Sequence, residues 1–203
     1  MPVGEAMHMQ GADGARRAKR WLDSTTRVES SWTNEDQVTA GRLEFAWPYG
    51  GQTFSFDVGG VMQGGEYEKQ LFVAEVKKYN TPGDQGTLYD DWLAKCYVTR
   101  RDHVRLASQF MWITWHPFRV TDWADLTKPL SIAKGLLADK NRKRIFNTDE
   151  DAVANKLIDV NIINDVAGRL WIVVLSDKQE SLVISPDDRA LIVAQRIKEA
   201  SLT

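Results

Sequence analysis

Three residues of this chain combine type and spacing in a way that could do chemistry: Asp57, Glu75 and Lys77. Glu75 and Lys77 stand two apart within the run from Leu71 to Tyr79, which is otherwise apolar and strand-like. On a strand they share a face with Leu71 and Val73, while Phe72, Ala74 and Val76 take the other. Charges in such a setting cost free energy unless they pair or bind a cation. Asp57 belongs to the preceding run, Thr53 to Met62, where Thr53, Ser55 and Asp57 alternate with Phe54, Phe56 and Val58. If the two runs are neighbours, Asp57 and Glu75 face each other across about 5 Å. Carboxylates that close take up a proton or hold a hard cation, and Mg²⁺ (or Mn²⁺) accepts such oxygen ligands. Lys77, one step along, can then hold an attacking water or neutralise charge on a phosphorane-like transition state. Together these are the parts needed to hydrolyse a phosphodiester.

The elements that must position them follow from periodicity and turn chemistry. Residues 1–14 have little pattern and three glycines, and are expected to be a flexible tail. From Ala15 to Val28 apolar residues recur at helical spacing, and Arg16, Arg17, Lys19 and Arg20 crowd the opposite face. Leu43 to Trp47, Thr53 to Met62 and Leu71 to Tyr79 read as three strands, the second ending at Gly59-Gly60. Asn80 to Asp84 breaks the last of them, with Asp84 placed to cap a helix from Gln85 to Thr99. Phe110 to Trp115 is a buried strand, the region from Asp122 to Gly168 is helical, and Leu170 to Leu175 is a further buried strand. Ser185-Pro186-Asp187-Asp188 opens a last helix. The order predicts an α/β fold, a mixed sheet flanked by helices, as one domain over residues 15–203.

On the residues Phe56-Asp57-Val58-Gly59-Gly60 and Val73-Ala74-Glu75-Val76-Lys77-Lys78-Tyr79, the chain resembles the PD-(D/E)XK nuclease superfamily, which has the restriction-endonuclease-like fold. The α-β-β-β-α-β core of that fold would cover about residues 15–116, with 117–203 as C-terminal helical elaboration. The resemblance implies a Mg²⁺-dependent deoxyribonuclease in which Asp57 and Glu75 bind metal, the Val76 main-chain carbonyl adds a ligand, and Lys77 assists the water. Gln85 and Tyr89 match the Gln-x-x-x-Tyr feature of the RecB-like branch, which implies a place near the active site. Phe56 stands where many members have proline. No acidic residue falls at the usual first-helix position, so Glu29 is the alternative third ligand. That gap motivates a second reading, a catalytically silent member of the fold that binds nucleic acid or assembles with a partner.

The 203 residues carry 26 basic and 28 acidic side chains, a net charge of −2, so bulk charge gives no sign of nucleic acid. The basic residues are nevertheless clustered: the first-helix strip, Lys78, and Lys140, Arg142, Lys143 and Arg144 are the expected DNA contacts. A homodimer or partner protein would supply specificity, and restriction, phage defence or repair would be the setting. No apolar run reaches the roughly 20 residues that span a bilayer, so no membrane partner is expected. The single cysteine, Cys96, fits the core and favours a reducing, cytoplasmic location. His8, His103 and His116 are too scattered for a metal site.

Overall fold

Alternation along the central strands sorts the chain onto two sides of one sheet. In a computed structural model, which describes residues 3–78 and 83–201, that sheet has five strands: β1 (Val28–Thr33), β4 (Val58–Met62), β5 (Leu71–Lys77), β6 (Gln109–Thr114) and β7 (Leu170–Val174). They lie in the order β1-β4-β5-β6-β7. The first three form an antiparallel meander, and β6 and β7 then run parallel to β5. Two shorter strands, β2 (Glu44–Ala46) and β3 (Thr53–Ser55), pair with each other outside this sheet. All six residues of β6 are buried, as a central strand covered on both faces requires.

Helix α1 (Val3–Asp23) covers one face, with Ala15, Ala18 and Leu22 against Val58, Phe72, Ala74 and Val76. Helix α2 (Gln85–Asp102) lies on the other, packing Tyr89, Trp92, Leu93 and Cys96 against Val73, Phe110 and Trp112. Beyond α2 stand α3 (Pro129–Leu137), α4 (Asp139–Phe146), α5 (Asp151–Leu157) and α6 (Val160–Ala167). Enclosed between sheet and helices, α2 is buried nearly all round. The chain closes with α7 (Asp177–Glu180) and α8 (Pro186–Ala200), the latter capped by the Ser185 hydroxyl, which accepts from the Asp188 N–H.

Several sequence expectations need correction. Residues 3–14, expected as a tail, are helical, and close packing of Gly14 on Val76 and Lys78 shows why glycine is tolerated there. The first strand of the sheet is not Leu43 to Trp47 but β1, which begins where the first helix was expected to end. Its Glu29-Ser30-Ser31 stretch hides the strand, because β1 is an edge that presents polar residues outward. The run from Thr53 to Met62 is broken at Phe56-Asp57, where the chain leaves the small ribbon for the main sheet. Phe56 and Val58 therefore lie on opposite sides of the sheet rather than on one. Gly59 and Gly60 sit inside β4 and do not end it. A side chain at Gly60 would meet the Ser30 carbonyl oxygen at 2.5 Å, so the neighbouring strand demands glycine there. Asp84 precedes α2 but its side chain makes no capping bond. Tyr79 to Pro82, placed by the sequence at the strand end and the break after it, lie outside the described residues, as does the His8 side chain.

Candidate active site

Three segments converge at one end of the sheet. The bend before β4 supplies Asp57, the C-terminal end of β5 supplies Glu75 and Lys77, and α2 supplies a fourth charged residue, Lys95. Register explains the first two: Val58 pairs with Ala74, so one further step brings Asp57 beside Glu75. The Asp57 N–H donates to the Ala74 carbonyl at 2.9 Å, and its carboxylate accepts the Val76 N–H at 2.8 Å. A strand residue points its N–H and C=O toward the same neighbour. The Val76 carbonyl is thereby directed to the Asp57 side as well.

Glu75 is 7% exposed and projects to the α2 face. Lys77 Nζ lies 2.7 Å from its Oε1 and Lys95 Nζ 2.9 Å from its Oε2. Lys95 also donates to the Ser55 carbonyl at 3.1 Å. Both lysine side chains are mostly covered, at 14% and 16% exposure, so solvent screens these pairs weakly. The two carboxyls respond in opposite directions. Burial pushes Asp57 up to about 6, assisted by the Glu75 charge against the pull of Lys77, the Val76 N–H and Lys95. Burial also acts to raise Glu75, but the two ammoniums outweigh it and hold the carboxyl down at about 2. Burial, with the Glu75 charge beside it, makes ionised Asp57 costly, and a divalent cation would relieve that cost. The donor set, two carboxylates and a main-chain carbonyl, is all oxygen and fits Mg²⁺ or Mn²⁺. Among the described residues no group of three acidic, histidine or cysteine side chains gathers.

Lys95 is the site residue that sequence reasoning missed. Its only sequence signal is a charge between Ala94 and Cys96 on a helix that is buried nearly all round, an environment that demands a partner.

The remaining nominated residues separate from the site. Glu29 stands at the opposite end of β1, paired with Lys69 at 2.8 Å, while Asp57 adjoins the Thr33 end. Tyr89 is fully buried and donates its hydroxyl to the Leu126 carbonyl at 2.9 Å, among Trp92, Trp112 and Phe118. It is a core residue, because its place on α2 faces other helices as well as the sheet. Gln85, also fully buried, accepts the Thr114 hydroxyl at 2.8 Å, and Thr114 Oγ1 lies 3.1 Å from the Lys77 carbonyl. Gln85 thus sits behind the site, with Thr114 between it and the Lys77 backbone.

The basic clusters are largely neutralised within the protein. Arg17 Nε donates to Glu180 at 2.7 Å and its other nitrogen reaches Asp177, while Arg20 approaches Glu180 at 3.5 Å. Arg16 pairs with Glu35 at 3.1 Å and Lys19 with Asp23 at 2.5 Å. This helix covers the sheet face opposite to Glu75 and Lys77. Lys78 meets Asp13 at 3.2 Å. On α4, Lys140 and Arg144 reach Asp91 at 3.4 and 2.8 Å, Arg142 takes Asp139 and Asp151, and Lys143 takes Asp149 at 2.9 Å. The Arg144 guanidinium lies 3.6 Å from the centre of the Trp47 ring. Some of these pairs join separate elements and others lie within one helix, so each nominated basic residue has an acidic neighbour in the fold while Arg16, Arg20, Lys140 and Lys143 stay exposed.

The chain matches no protein-family model, no curated protein and no solved structure. Among the described residues no helix is long and apolar enough to cross a membrane.

Proposed function

We propose that the protein is a divalent-metal-dependent nuclease of the PD-(D/E)XK type that hydrolyses DNA phosphodiester bonds. The observation that carries this reading is the convergence of Asp57, from the bend before β4, with Glu75 and Lys77 of β5, the Asp57 carboxylate being bonded to the Val76 N–H between the other two. The order of helix, three-stranded meander, helix and parallel strand supports it, since that is the core of the restriction-endonuclease-like fold. Asp57, Glu75 and the Val76 carbonyl would hold the ion, which supplies Lewis-acid stabilisation of the phosphate and acidifies water. Lys77 donates to the attacking water, and its link to Glu75 keeps its ammonium pointed at the carboxylates. Val76 fixes the Asp57 carboxylate through its N–H.

Asp57→Ala, Glu75→Ala and Lys77→Ala proteins, assayed on plasmid and short single- and double-stranded DNA with Mg²⁺ or Mn²⁺, are expected to be folded and inactive where the parent cleaves. RNA offered alongside sets the substrate class. Undiminished cleavage by all three would sink the assignment. The catalytically silent alternative draws on one observation, that both Glu75 oxygens already carry ammonium partners. Calorimetric titration with millimolar Mg²⁺ separates the two: a silent subunit takes up none.

A further inference from the structure

Lys95 poses a problem of charge. One ammonium, Lys77, already neutralises Glu75, yet α2 places a second on the same carboxylate in a nearly enclosed position. Lys95 also reaches the Ser55 carbonyl and acts on the Asp57 charge, so it serves the whole carboxylate pair rather than Glu75 alone. The ledger of the site gives a reason. Asp57 and Glu75 contribute two negative charges and the two lysines two positive ones. A divalent cation bound to the carboxylates would compensate both negative charges and weaken the hold of Glu75 on Lys95. A phosphodiester under attack by hydroxide carries two negative charges in its transition state, which those two ammoniums match.

Geometry agrees with the ledger. Lys77 and Lys95 donate to the two oxygens of one carboxylate at 2.7 and 2.9 Å. The non-bridging oxygens of a phosphodiester held by an ion on Glu75 would be acceptors of the same kind within reach of these ammoniums. An ammonium has three donors, and Lys95 spends two, on Glu75 and on the Ser55 carbonyl. The Ser55 bond holds the side chain at the site, and the third N–H makes no hydrogen bond among the described residues.

Resting on the nuclease reading above, we propose that Lys95 is a second catalytic ammonium, which leaves Glu75 to the metal and contacts a non-bridging oxygen of the scissile phosphate. Lys77 serves the water. In the step itself the water oxygen bonds to phosphorus as one phosphorus–ester oxygen bond breaks. The water proton passes to solvent and the departing alkoxide takes one up, giving a phosphomonoester and a free hydroxyl. Lys95 stays protonated throughout and stabilises the added charge.

The test uses Lys95→Gln, which keeps length and a donor but not charge, and Lys95→Arg, which keeps charge. Mn²⁺ titration by calorimetry without DNA is expected to show several-fold tighter binding by Lys95→Gln, because the competing ammonium is gone. Binding of a short duplex with Ca²⁺ present should lose about one from the slope of log affinity against log salt concentration. Single-turnover cleavage should fall about 10- to 100-fold and recover in part with Lys95→Arg. If the parent cleaves and Lys95→Gln keeps its rate and salt slope, Lys95 is structural and the inference is overturned. If the parent cleaves nothing with either metal, it is the nuclease reading that falls. Should Lys95→Gln not fold, Lys95→Arg with parental metal affinity and salt slope and a measurable rate supports the charge assignment. Lys95→Arg folded but as inactive as Lys77→Ala refutes it.

Discussion

The opposite displacement of the two site carboxyls leads to a prediction that does not depend on finding a substrate. Asp57 is held at about 6 against an ordinary 3.8, so above pH 6 the folded protein carries a carboxylate it would rather not ionise. At about 1.4 kcal/mol for each tenfold change in the proton equilibrium, that difference sets a ceiling of about 3 kcal/mol of destabilisation. Asp57 keeps some contact with solvent, which screens the effect, so ~1–2 kcal/mol is the expected yield. Asp57→Asn removes the charge while keeping an oxygen for the Val76 N–H. The variant should therefore be more stable than the parent by that amount in urea unfolding at pH 7.5 with EDTA. The sign follows from the raised folded-state value: the penalty is full above about 6, shrinks as pH falls and is gone below 3.8. The two unfolding curves should accordingly converge near pH 3.5. A variant less stable than the parent at pH 7.5, or a gain that does not change with pH, would refute the reasoning. A stabilising substitution at the proposed metal ligand is also the stability–function conflict expected of an active-site residue.

Two further outcomes check the corrected assignments. Tyr89→Phe should cost about 1 kcal/mol in thermal or urea unfolding, through loss of the hydroxyl bond to Leu126, while leaving cleavage unchanged; a folded but inactive variant would return Tyr89 to the site. Gly60→Ala should lower stability by about 1–3 kcal/mol or more, since the added methyl meets a strand carbonyl and the Phe72 ring, and unaltered melting would show that β1 and β4 are less closely apposed.

Much of the frame was legible from local pattern. β5, β6, β7, α2 and α8 follow from runs and caps a few residues long, and Asp57, Glu75 and Lys77 from an acidic-x-Lys pair set in an apolar strand. β1 was not legible, because an edge strand needs few apolar residues and its Glu29-Ser30-Ser31 looks like a loop. The break at Phe56-Asp57 was equally hidden, since alternation continues smoothly through residues that belong to two different sheets.

What the sequence by itself determined is which residues could do chemistry and the order of elements that carries them, because strand and helix periods act over neighbours two to four apart. What only the tertiary structure decided is which charges stay available. Arg17 finds Glu180, 163 residues away, and the helical basic strip becomes a structural clasp. Lys95, silent in the sequence, is brought onto Glu75 across 20 residues by the packing of α2 on β5. A charge acts through whatever lies within a few ångströms of it, and folding alone selects that company.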